Sequence, residues 1–288
     1  MGDFTHSQMA RHQDRCVMMW PLFNRLVKAL SLAVTAVSVI YMLTPILVIV
    51  PVSFSSDRYI SFPVPGYSLQ WYEKMLGSEG YRLAIWNTLI TGTSVAAIAA
   101  IFGTLAALSI VRGKVRFGRA LTGLAVAPLI MPQIIVAIGA YPIVASIGLI
   151  GTKLGVILVH SAIALPLVFI TVSSSLRSYS PNMELAAMTL GANDWHTFVH
   201  VTWPMIRLGV IVGAIFAFAA SFDEIIIALF LTDASSVTLP VYMWNELRFQ
   251  MEPTIAAASA LAIVVSLSLL SAVALLQRAG HKKFREQR

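Results

Sequence analysis

Two adjacent carboxylates, Asp223 and Glu224, stand within an apolar stretch of the sequence. A carboxylate at the centre of a bilayer costs about 2.5–3.5 kcal/mol on insertion scales, so these groups are expected to face a cavity rather than lipid. There they could compensate the charge of a cation that has lost part of its hydration. Because neighbours on a helix point about 100° apart, both need not line one pathway, and Asp223 is the first candidate. The alternative is a structural ion pair or a helix end at the headgroups.

Other side chains with suitable chemistry lie on either side of this pair. Trp244 and Tyr242 could present a cation–π surface, and Glu246 could add a negative charge near the mouth of the same pathway. An interfacial aromatic belt, or contact with another subunit, explains these aromatic residues equally well. His160 could line the pathway, although a histidine that is hydrogen-bonded between helices is the more common arrangement.

The sequence offers little for metal binding or covalent catalysis. His196 and His200 have the i, i+4 spacing that presents two imidazoles on one helix face, but no carboxylate or thiol stands at a matching third position. A phosphate-binding loop, a nucleophile elbow and an H-E-x-x-H helix are all absent from the sequence. We therefore expect no catalytic residue, no metal site and no cofactor in this chain.

Membrane-spanning helices are expected to position these groups. The chain is 58% hydrophobic and only 11% charged, whereas roughly a quarter of residues are charged in soluble proteins. The predicted fold class is an all-α integral membrane protein, since six stretches reach the roughly 20 apolar residues needed to cross a bilayer. The first is longer than the apolar region of a signal peptide, so its cleavage is not expected. The six spans are about 27–50, 83–111, 120–147, 154–176, 205–231 and 254–276.

Six spans place both termini on one side of the membrane. Three quarters of the 20 lysine and arginine residues fall on that side, which predicts that it is cytoplasmic. The net charge of +7 then reflects topology and contact with anionic lipid, without nucleic acid. The predicted parts are a cytoplasmic tail (1–26), the first span with an external segment (27–82), a five-helix core (83–277) and a basic cytoplasmic tail (278–288).

Two polar segments between the spans carry recognisable local signals. In the external segment, Pro63, Pro65 and Gly66 predict an extended strap, followed by a short helix that begins at Ser68. The second segment, residues 177–204, is predicted to lie in the cytoplasm as two short helices. The cap of its first helix is Ser180 or Asn182, the corner is Gly191, the second cap is Asn193 or Asp194, and the stop is Pro204.

The second helix of this loop has an apolar face that includes Trp195 and Trp203. An exposed apolar face often marks a partner site, and a connector that packs on its own spans is the alternative. The spacing Leu185-Ala186-Ala187, Gly191, Val201-x-Trp203-Pro204 resembles the EAA loop of type I ABC importer permeases, E-A-A-x3-G-x9-I-x-L-P. Leu185 departs from the glutamate of that pattern and Trp203 from its leucine, while Glu184 lies one residue early and could supply a displaced carboxylate.

The resemblance implies that this loop docks on a cytoplasmic ATPase. The coupling residues would be Glu184, Leu185, Ala186, Ala187, Gly191, Asp194, Val201 and Pro204. The same resemblance implies a dimer of ABC ATPases that binds ATP and Mg, a second homologous permease, a periplasmic substrate-binding protein, and a place in the bacterial inner membrane. A chain of this kind is not itself an enzyme. Its substrate pathway would include Asp223, Glu224, Trp244, Glu246 and His160.

The resemblance covers nearly the whole chain. The segments AFAASFDEIIIALFLT and VTLPVYMWNELR look like the branch that imports spermidine and putrescine, and permeases for phosphonate, opine or ferric iron are the alternatives within the family. A cation-coupled secondary transporter, with Asp223 or Glu224 binding the driving proton, is the rival from another class. The absence of an evident inverted repeat and of obviously broken helices argues against it. A membrane enzyme would need a catalytic constellation that the sequence lacks.

Overall fold

The structure is a computed structural model that describes residues 3–113, 115–249 and 252–285, with the backbone alone for 3–23 and 279–285. The side chains of Cys16 and of most of the predicted basic tail (278–288) lie outside the described residues, as does Lys114. The described elements are α1 (Asp3–Ser53), α2 (Gln70–Gly77), α3 (Glu79–Arg112), α4 (Gly118–Ile130), α5 (Gln133–Ser146), α6 (Lys153–Arg177), α7 (Asn182–Thr189), α8 (Asp194–Thr197), a π-helical turn (Phe198–Thr202), α9 (Trp203–Phe222), α10 (Ile226–Leu231), α11 (Leu239–Phe249) and α12 (Thr254–Arg285).

Length and composition make five helical segments of the described chain able to cross a membrane, and one bent pair of helices can supply a sixth crossing. The five are Asn24–Ser53, Glu79–Arg112, Lys153–Arg177, Asp194–Phe222 and Thr254–Arg278. The prediction of an all-α, multi-pass membrane protein is therefore confirmed. Helix α1 begins well before the predicted first span, at Asp3.

The third predicted span, 120–147, was wrong in shape. It consists of α4 and α5, which meet at an angle of 102°. Met131 and Pro132 at the break have extended backbone, with ψ of 134° and 130°. A proline disfavours the helical conformation of the residue before it and lacks the N–H that would continue the helix. Pro132 thus explains why the span turns instead of crossing straight.

The fifth predicted span, 205–231, is interrupted near its far end. Helix α9 ends at Phe222, and α10 begins three residues after Asp223. The carboxylate of Glu224 accepts hydrogen bonds from the backbone N–H groups of Ile227 (2.9 Å) and Ala228 (3.0 Å). Such a cap satisfies amide groups that the first turn of a helix leaves without partners. The break therefore places one carboxylate at a helix end and the other at a helix start.

Pro204 does not stop the second short helix of the loop, contrary to the prediction. The chain is helical from Asp194 to Phe222, with a π-helical turn immediately before α9. In this turn the N–H of Trp203 donates to the carbonyl of Phe198, five residues earlier. The wider winding changes the hydrogen-bond register just where proline has no N–H to donate, so the helix continues through the proline.

The centre of the bundle is formed by α3, α6 and α9. A Cβ atom on Gly213 would lie 2.8 Å from Cα of Val168, and one on Gly209 would lie 3.0 Å from the carbonyl oxygen of Thr171. These glycines, four residues apart, therefore allow α9 to approach α6 closely. The buried side chains of this core include Val95, Ala99, Val168, Phe169, Val172, Leu176 and Ile206.

At one end of the bundle α3 and α6 finish and α9 begins, and we name it the Gly191 end. The opposite end, the Asp233 end, carries the 232–238 loop and α11, a helix that lies between the fifth and sixth predicted spans. The fully buried side chain of Asn87 ties this loop to α3 by donating to the carbonyls of Ser235 (3.0 Å) and Val237 (2.9 Å). The start of α11 is thereby fixed against α3.

The segment between the first two predicted spans contains the predicted short helix, and a stretch of bends and turns stands where the strap was predicted. The indole N–H of Trp71 on α2 donates to the carbonyl of Ser55 (2.7 Å), which holds the strap against the helix. Helix α2 begins at Gln70, and the hydroxyl of Ser68 accepts the N–H of Gln70 at 3.1 Å. The helix thus begins two residues later than predicted, with Ser68 in contact with its first turn.

Candidate functional site

The polar loop between α6 and α9 turns sharply at Gly191, whose φ of +90° is one that side-chain-bearing residues rarely adopt. The N–H of Gly191 donates to the carbonyl of Met188 (3.0 Å), and the N–H of Ala192 donates to that of Ala187 (3.1 Å). This pair of bonds is the Schellman arrangement that closes a helix with a left-handed residue. The predicted glycine corner is therefore present.

The predicted helix caps on either side of the corner differ in outcome. Asn193 caps α8, because its side-chain oxygen accepts the N–H of His196 at 2.8 Å. At α7 neither predicted residue provides such a cap: the hydroxyl of Ser180 accepts only the N–H of Asn182, at 3.3 Å. Pro181 precedes the helix in a helical conformation, so the chain enters α7 without needing a side-chain cap.

The corner presents large apolar side chains to its surroundings. Leu190 is 88% exposed, Trp195 69% and Leu185 58%. We name these three residues, with Met183 and Met188, the corner surface. Of the other predicted coupling residues, Ala186, Gly191, Asp194 and Pro204 are exposed, whereas Ala187 and Val201 are half-buried. The loop therefore presents an apolar outer face, beside which Ala187 is partly covered.

Glu184 points into the protein and away from the corner surface. Its Oε1 atom lies 3.2 Å from Nε of Arg112, at the end of α3. The same oxygen accepts hydrogen bonds from the hydroxyls of Tyr179 (2.6 Å) and Thr202 (3.1 Å). The structure thus places this carboxylate in internal contacts, whereas Leu185, at the glutamate position of the EAA pattern, faces outward.

Arg112 and Tyr179 make further contacts that order this cluster. Nη2 of Arg112 donates to the carbonyl of Leu176 at 2.7 Å, and the guanidinium lies 4.6 Å from the centroid of the Tyr179 ring. Burial, together with the hydrogen bond to Glu184, raises the pKa of the Tyr179 phenol above its ordinary value. The phenol therefore remains a protonated donor at neutral pH. We name Arg112, Glu184, Tyr179 and Thr202 the Arg112 cluster.

Three members of the Arg112 cluster were missed by the sequence analysis. Arg112 contributed only to the count of basic residues, and Tyr179 and Thr202 were not singled out. The one available signal was Glu184, the acidic residue of the motif region that stands one position early. Nothing in the sequence pairs it with Arg112, which lies 72 residues before it.

At the opposite end of the bundle, Asp223 lies on a cavity of about 420 Å³ between α9, α11 and α12. Asp223 is exposed, and Trp244 from α11 lines the same cavity. Most of the remaining lining is apolar, with two serines from α12. We name this space the Asp223 cavity; its lining also includes Leu239, Met243, Leu247, Ile255, Ser259 and Ser266.

The other predicted pathway residues on α11 have contacts of their own. The face of Trp244 is engaged by Arg248, whose guanidinium carbon lies 4.9 Å from the ring centroid. Tyr242 packs edge-on against Tyr81, with 4.7 Å between ring centroids. Glu246 is half-buried and lies outside the set of residues that line the Asp223 cavity. Among the aromatic and acidic residues predicted on α11, only Trp244 is therefore placed at the cavity.

Glu224 and His160 face neither the Asp223 cavity nor solvent, since both side chains are completely buried. His160 Nε2 lies 3.2 Å from Oε2 of Glu224, and Nδ1 lies 2.9 Å from the hydroxyl of Ser221. These two predicted pathway residues thus lie inside the protein and outside the lining of the Asp223 cavity, because the cap on α10 draws Glu224 inward and α6 supplies the histidine beside it. His160 is thus a histidine held between helices, the alternative to a histidine that lines the pathway.

The two histidines of the loop stack on one another, with ring centroids 5.8 Å apart and an interplanar angle of 7°. Nδ1 of His196 lies 2.9 Å from the side-chain oxygen of Asn193, and Nδ1 of His200 lies 3.0 Å from the carbonyl of His196. Within the part of the chain that the structure describes, no group of three histidine, cysteine or acidic side chains could hold a metal ion.

Known proteins are similar to this chain in sequence and in fold. Residues 99–286 match the family described as "Binding-protein-dependent transport system inner membrane component". The putrescine transport system permease protein PotI of Escherichia coli K12 is 31% identical over 255 residues, which cover 85% of this chain and 90% of PotI. The spermidine/putrescine permease protein PotC of Haemophilus influenzae is 27% identical over 83% of this chain and 92% of PotC.

A solved structure with the same fold comes from a bacterial ABC transporter involved in the import of the acidic polysaccharide alginate. Its TM-score is 0.68 at 17% identity, over 86% of this chain and 95% of the solved chain. One argument against a secondary transporter was wrong, since α4–α5 and α9–α10 are broken helices. The family match instead distinguishes an ABC importer permease from a secondary transporter. The chain therefore belongs to the family of binding-protein-dependent transport system inner membrane components and is a permease subunit of an ABC importer.

Proposed function

We propose that this permease imports polyamines of the spermidine and putrescine class across a bacterial inner membrane. Its partners in this proposal are a pair of cytoplasmic ATPases, which bind ATP and Mg, a second permease subunit and a periplasmic binding protein. Both termini and the Gly191 end face the cytoplasm, as the distribution of basic residues favours. The chain itself carries no catalytic residue, consistent with relatives that are membrane permeases rather than enzymes.

The carrying observation for the substrate is the exposed carboxylate of Asp223 in a mostly apolar cavity. A polyamine has ammonium groups separated by methylene segments, so it needs a negative charge at one point and apolar walls beside it. The similarity to PotI and PotC, whose names give putrescine and spermidine, supports the same class. An anionic phosphonate would be repelled by a carboxylate between apolar walls.

The corner surface is the proposed docking site of the ATPase. Leu190, Trp195 and Leu185 are exposed, and an exposed apolar surface of this kind favours a protein partner. Closure of the ATPase pair would displace the corner, and the helices joined to it would move between inward-open and outward-open arrangements. The solute would then pass between the two permease subunits.

Uptake by the reconstituted complex tests the proposal. The tagged chain is purified with its associated subunits, placed in vesicles, and supplied with radiolabelled spermidine or putrescine, with ATP or with an ion gradient. We expect ATP-dependent uptake, and uptake driven by the gradient alone would contradict the proposal. Asp223→Asn should lower uptake at least about tenfold, because a charge pair 4 Å apart at an effective dielectric of about 20 is worth about 4 kcal/mol.

A matched variant separates the effect of Asp223 from a general loss of negative charge. Glu73 is an exposed carboxylate on α2, and α2 packs near the Asp233 end of the bundle. Glu73→Gln removes the same charge without touching the cavity and should leave polyamine uptake near the wild-type rate. Equal uptake by the Asp223→Asn and Glu73→Gln complexes would remove Asp223 from the pathway.

A further inference from the structure

The Arg112 cluster joins the corner to three long helices at once. Arg112 is the last residue of α3, Tyr179 follows α6, and Thr202 immediately precedes α9. All three side chains converge on one oxygen of Glu184 in α7. The ion pair is well shielded, since the side chains of Arg112 and Glu184 are only 18% and 16% exposed.

Two contacts of Arg112 fix the position and orientation of its guanidinium within the Arg112 cluster. Its Nε faces Glu184 at 3.2 Å, while Nη2 donates to the carbonyl of Leu176 at 2.7 Å. A guanidinium is planar, so two contacts from its edge fix both its position and its orientation. Hydrogen bonds to ionised groups are stronger than neutral ones. A displacement of α7 must therefore break several such bonds or move the ends of α3, α6 and α9 with it.

Glu184 also has a different role from its neighbour in the loop. It is the acidic residue of α7, and its carboxylate is directed to Arg112, whereas Leu185 is 58% exposed on the corner surface. Because three internal donors hold Oε1 of Glu184 and its side chain is only 16% exposed, the apolar residues of the corner surface are better placed to contact a partner. The apolar corner surface is therefore available for docking of a partner, while the carboxylate of Glu184 attaches α7 to the rest of the bundle.

We propose that the pair Arg112–Glu184 is a positioning element that transmits displacement of α7 to α3, α6 and α9. The proposal rests on the proposed docking of an ATPase at the corner surface. It assigns Arg112 and Glu184 to the coupling of ATP hydrolysis to transport, and it assigns no part of ATPase binding to the carboxylate. Loss of the pair should therefore leave the complex assembled, and the ATPase should still hydrolyse ATP while less solute is transported.

The test compares Arg112→Gln, Glu184→Gln and the double variant in the purified complex. Glu184→Gln keeps the size of the side chain and an oxygen that can accept from Tyr179 and Thr202, so it removes the charge with little loss of shape. Three quantities are measured in each complex: the amount of ATPase that co-purifies, the rate of ATP hydrolysis, and polyamine uptake per ATP hydrolysed. The exposed Arg119, at the start of α4, provides the control variant Arg119→Gln.

We expect each single variant to retain its ATPase and to lose at least about fivefold in uptake per ATP, the lower end of a typical coupling between sites. The double variant should be no worse than either single variant, because both changes disable one contact. Arg119→Gln should match the wild type. These results together would establish a positioning role that a merely structural residue would not show.

Other outcomes would overturn the inference. Uptake per ATP near the wild-type value in both single variants would show that the pair does not transmit motion, and so would defects that multiply in the double variant. Loss of the ATPase from the Glu184→Gln complex would show that the carboxylate acts in docking instead. If no ATPase co-purified with the wild-type chain, the docking proposal itself would fail. Measuring co-purification with the wild type therefore distinguishes that failure from a failure of the Arg112–Glu184 proposal.

Discussion

Replacing Gly191 with alanine isolates the backbone conformation of the corner. A Cβ at this position would meet no atom within 4 Å, so the substitution adds no clash and acts only through the φ of +90°. A left-handed conformation costs a residue with a side chain about 1–2 kcal/mol, which lowers the population of the formed corner about 5–30-fold relative to alternatives. Proline should be worse, because it cannot reach this φ and cannot donate to Met188.

Matched variants make the Gly191 prediction specific. Gly123, inside α4, also has open space where a Cβ would be, but it lies in a regular helix, so Gly123→Ala should be neutral or slightly stabilising. Asparagine tolerates the left-handed region better than alanine, so Gly191→Asn should be the mildest change at the corner.

The assay for these variants measures the amount of chain in the membrane, the ATPase that co-purifies with it, and polyamine uptake. We expect Gly191→Ala and Gly191→Pro to insert normally but to bind less ATPase and to import less. The reasoning is refuted if both variants dock and transport like the wild type, or if Gly191→Asn is as defective as Gly191→Pro.

Three further predictions concern other parts of the chain. Gly213→Leu should unfold or misassemble the bundle, measured as a lower melting temperature in detergent, because its Cβ would press on the α6 backbone at Val168; an unchanged melting temperature would contradict the close packing. Glu224→Ala should cost about 1–3 kcal/mol for each buried donor that it leaves unpaired, at His160 and in the first turn of α10, and an unchanged stability would contradict this. Hydrogen bonds from the side chain and backbone of Ser235 lower the pKa of Asp233, so the 232–238 turn should gain stability above the ordinary carboxyl pKa and lose it only as the pH falls through the lower folded value; amide exchange that rises already between pH 7 and 5 would refute this.

The spans and the corner could be predicted from sequence because the signals are local. Apolar runs of sufficient length indicate which segments can cross a membrane, and the spacing from Ala186 to Pro204 indicates the loop. Gly191 was predictable for the same reason, since only glycine adopts its conformation without cost. The bend at Met131–Pro132 was also visible in principle, because proline acts on the residue before it. The apolar composition of that run masked the signal.

The cluster and the buried pair could not be predicted, because they depend on tertiary contacts. Glu224 turns inward to cap α10 and meet His160, whereas Asp223, one residue earlier, stays exposed at the cavity. Helical periodicity indicated that the two would diverge but not which partner each would find. Arg112 and Glu184 are likewise brought together only by the packing of α3, α6 and α9.

Cross-linking from the tip of the corner tests the central claim most directly. Leu190, which is 88% exposed, is changed to cysteine in a chain whose only natural cysteine, Cys16, has been changed to serine. A short reagent that reaches the cytoplasm, thiol-reactive at one end and photoreactive at the other, should join this position to the ATPase, and the yield should change when ATP is added. Labelling of the same cysteine in intact cells by a thiol reagent that cannot cross the membrane would contradict the account, since the corner would then face outward.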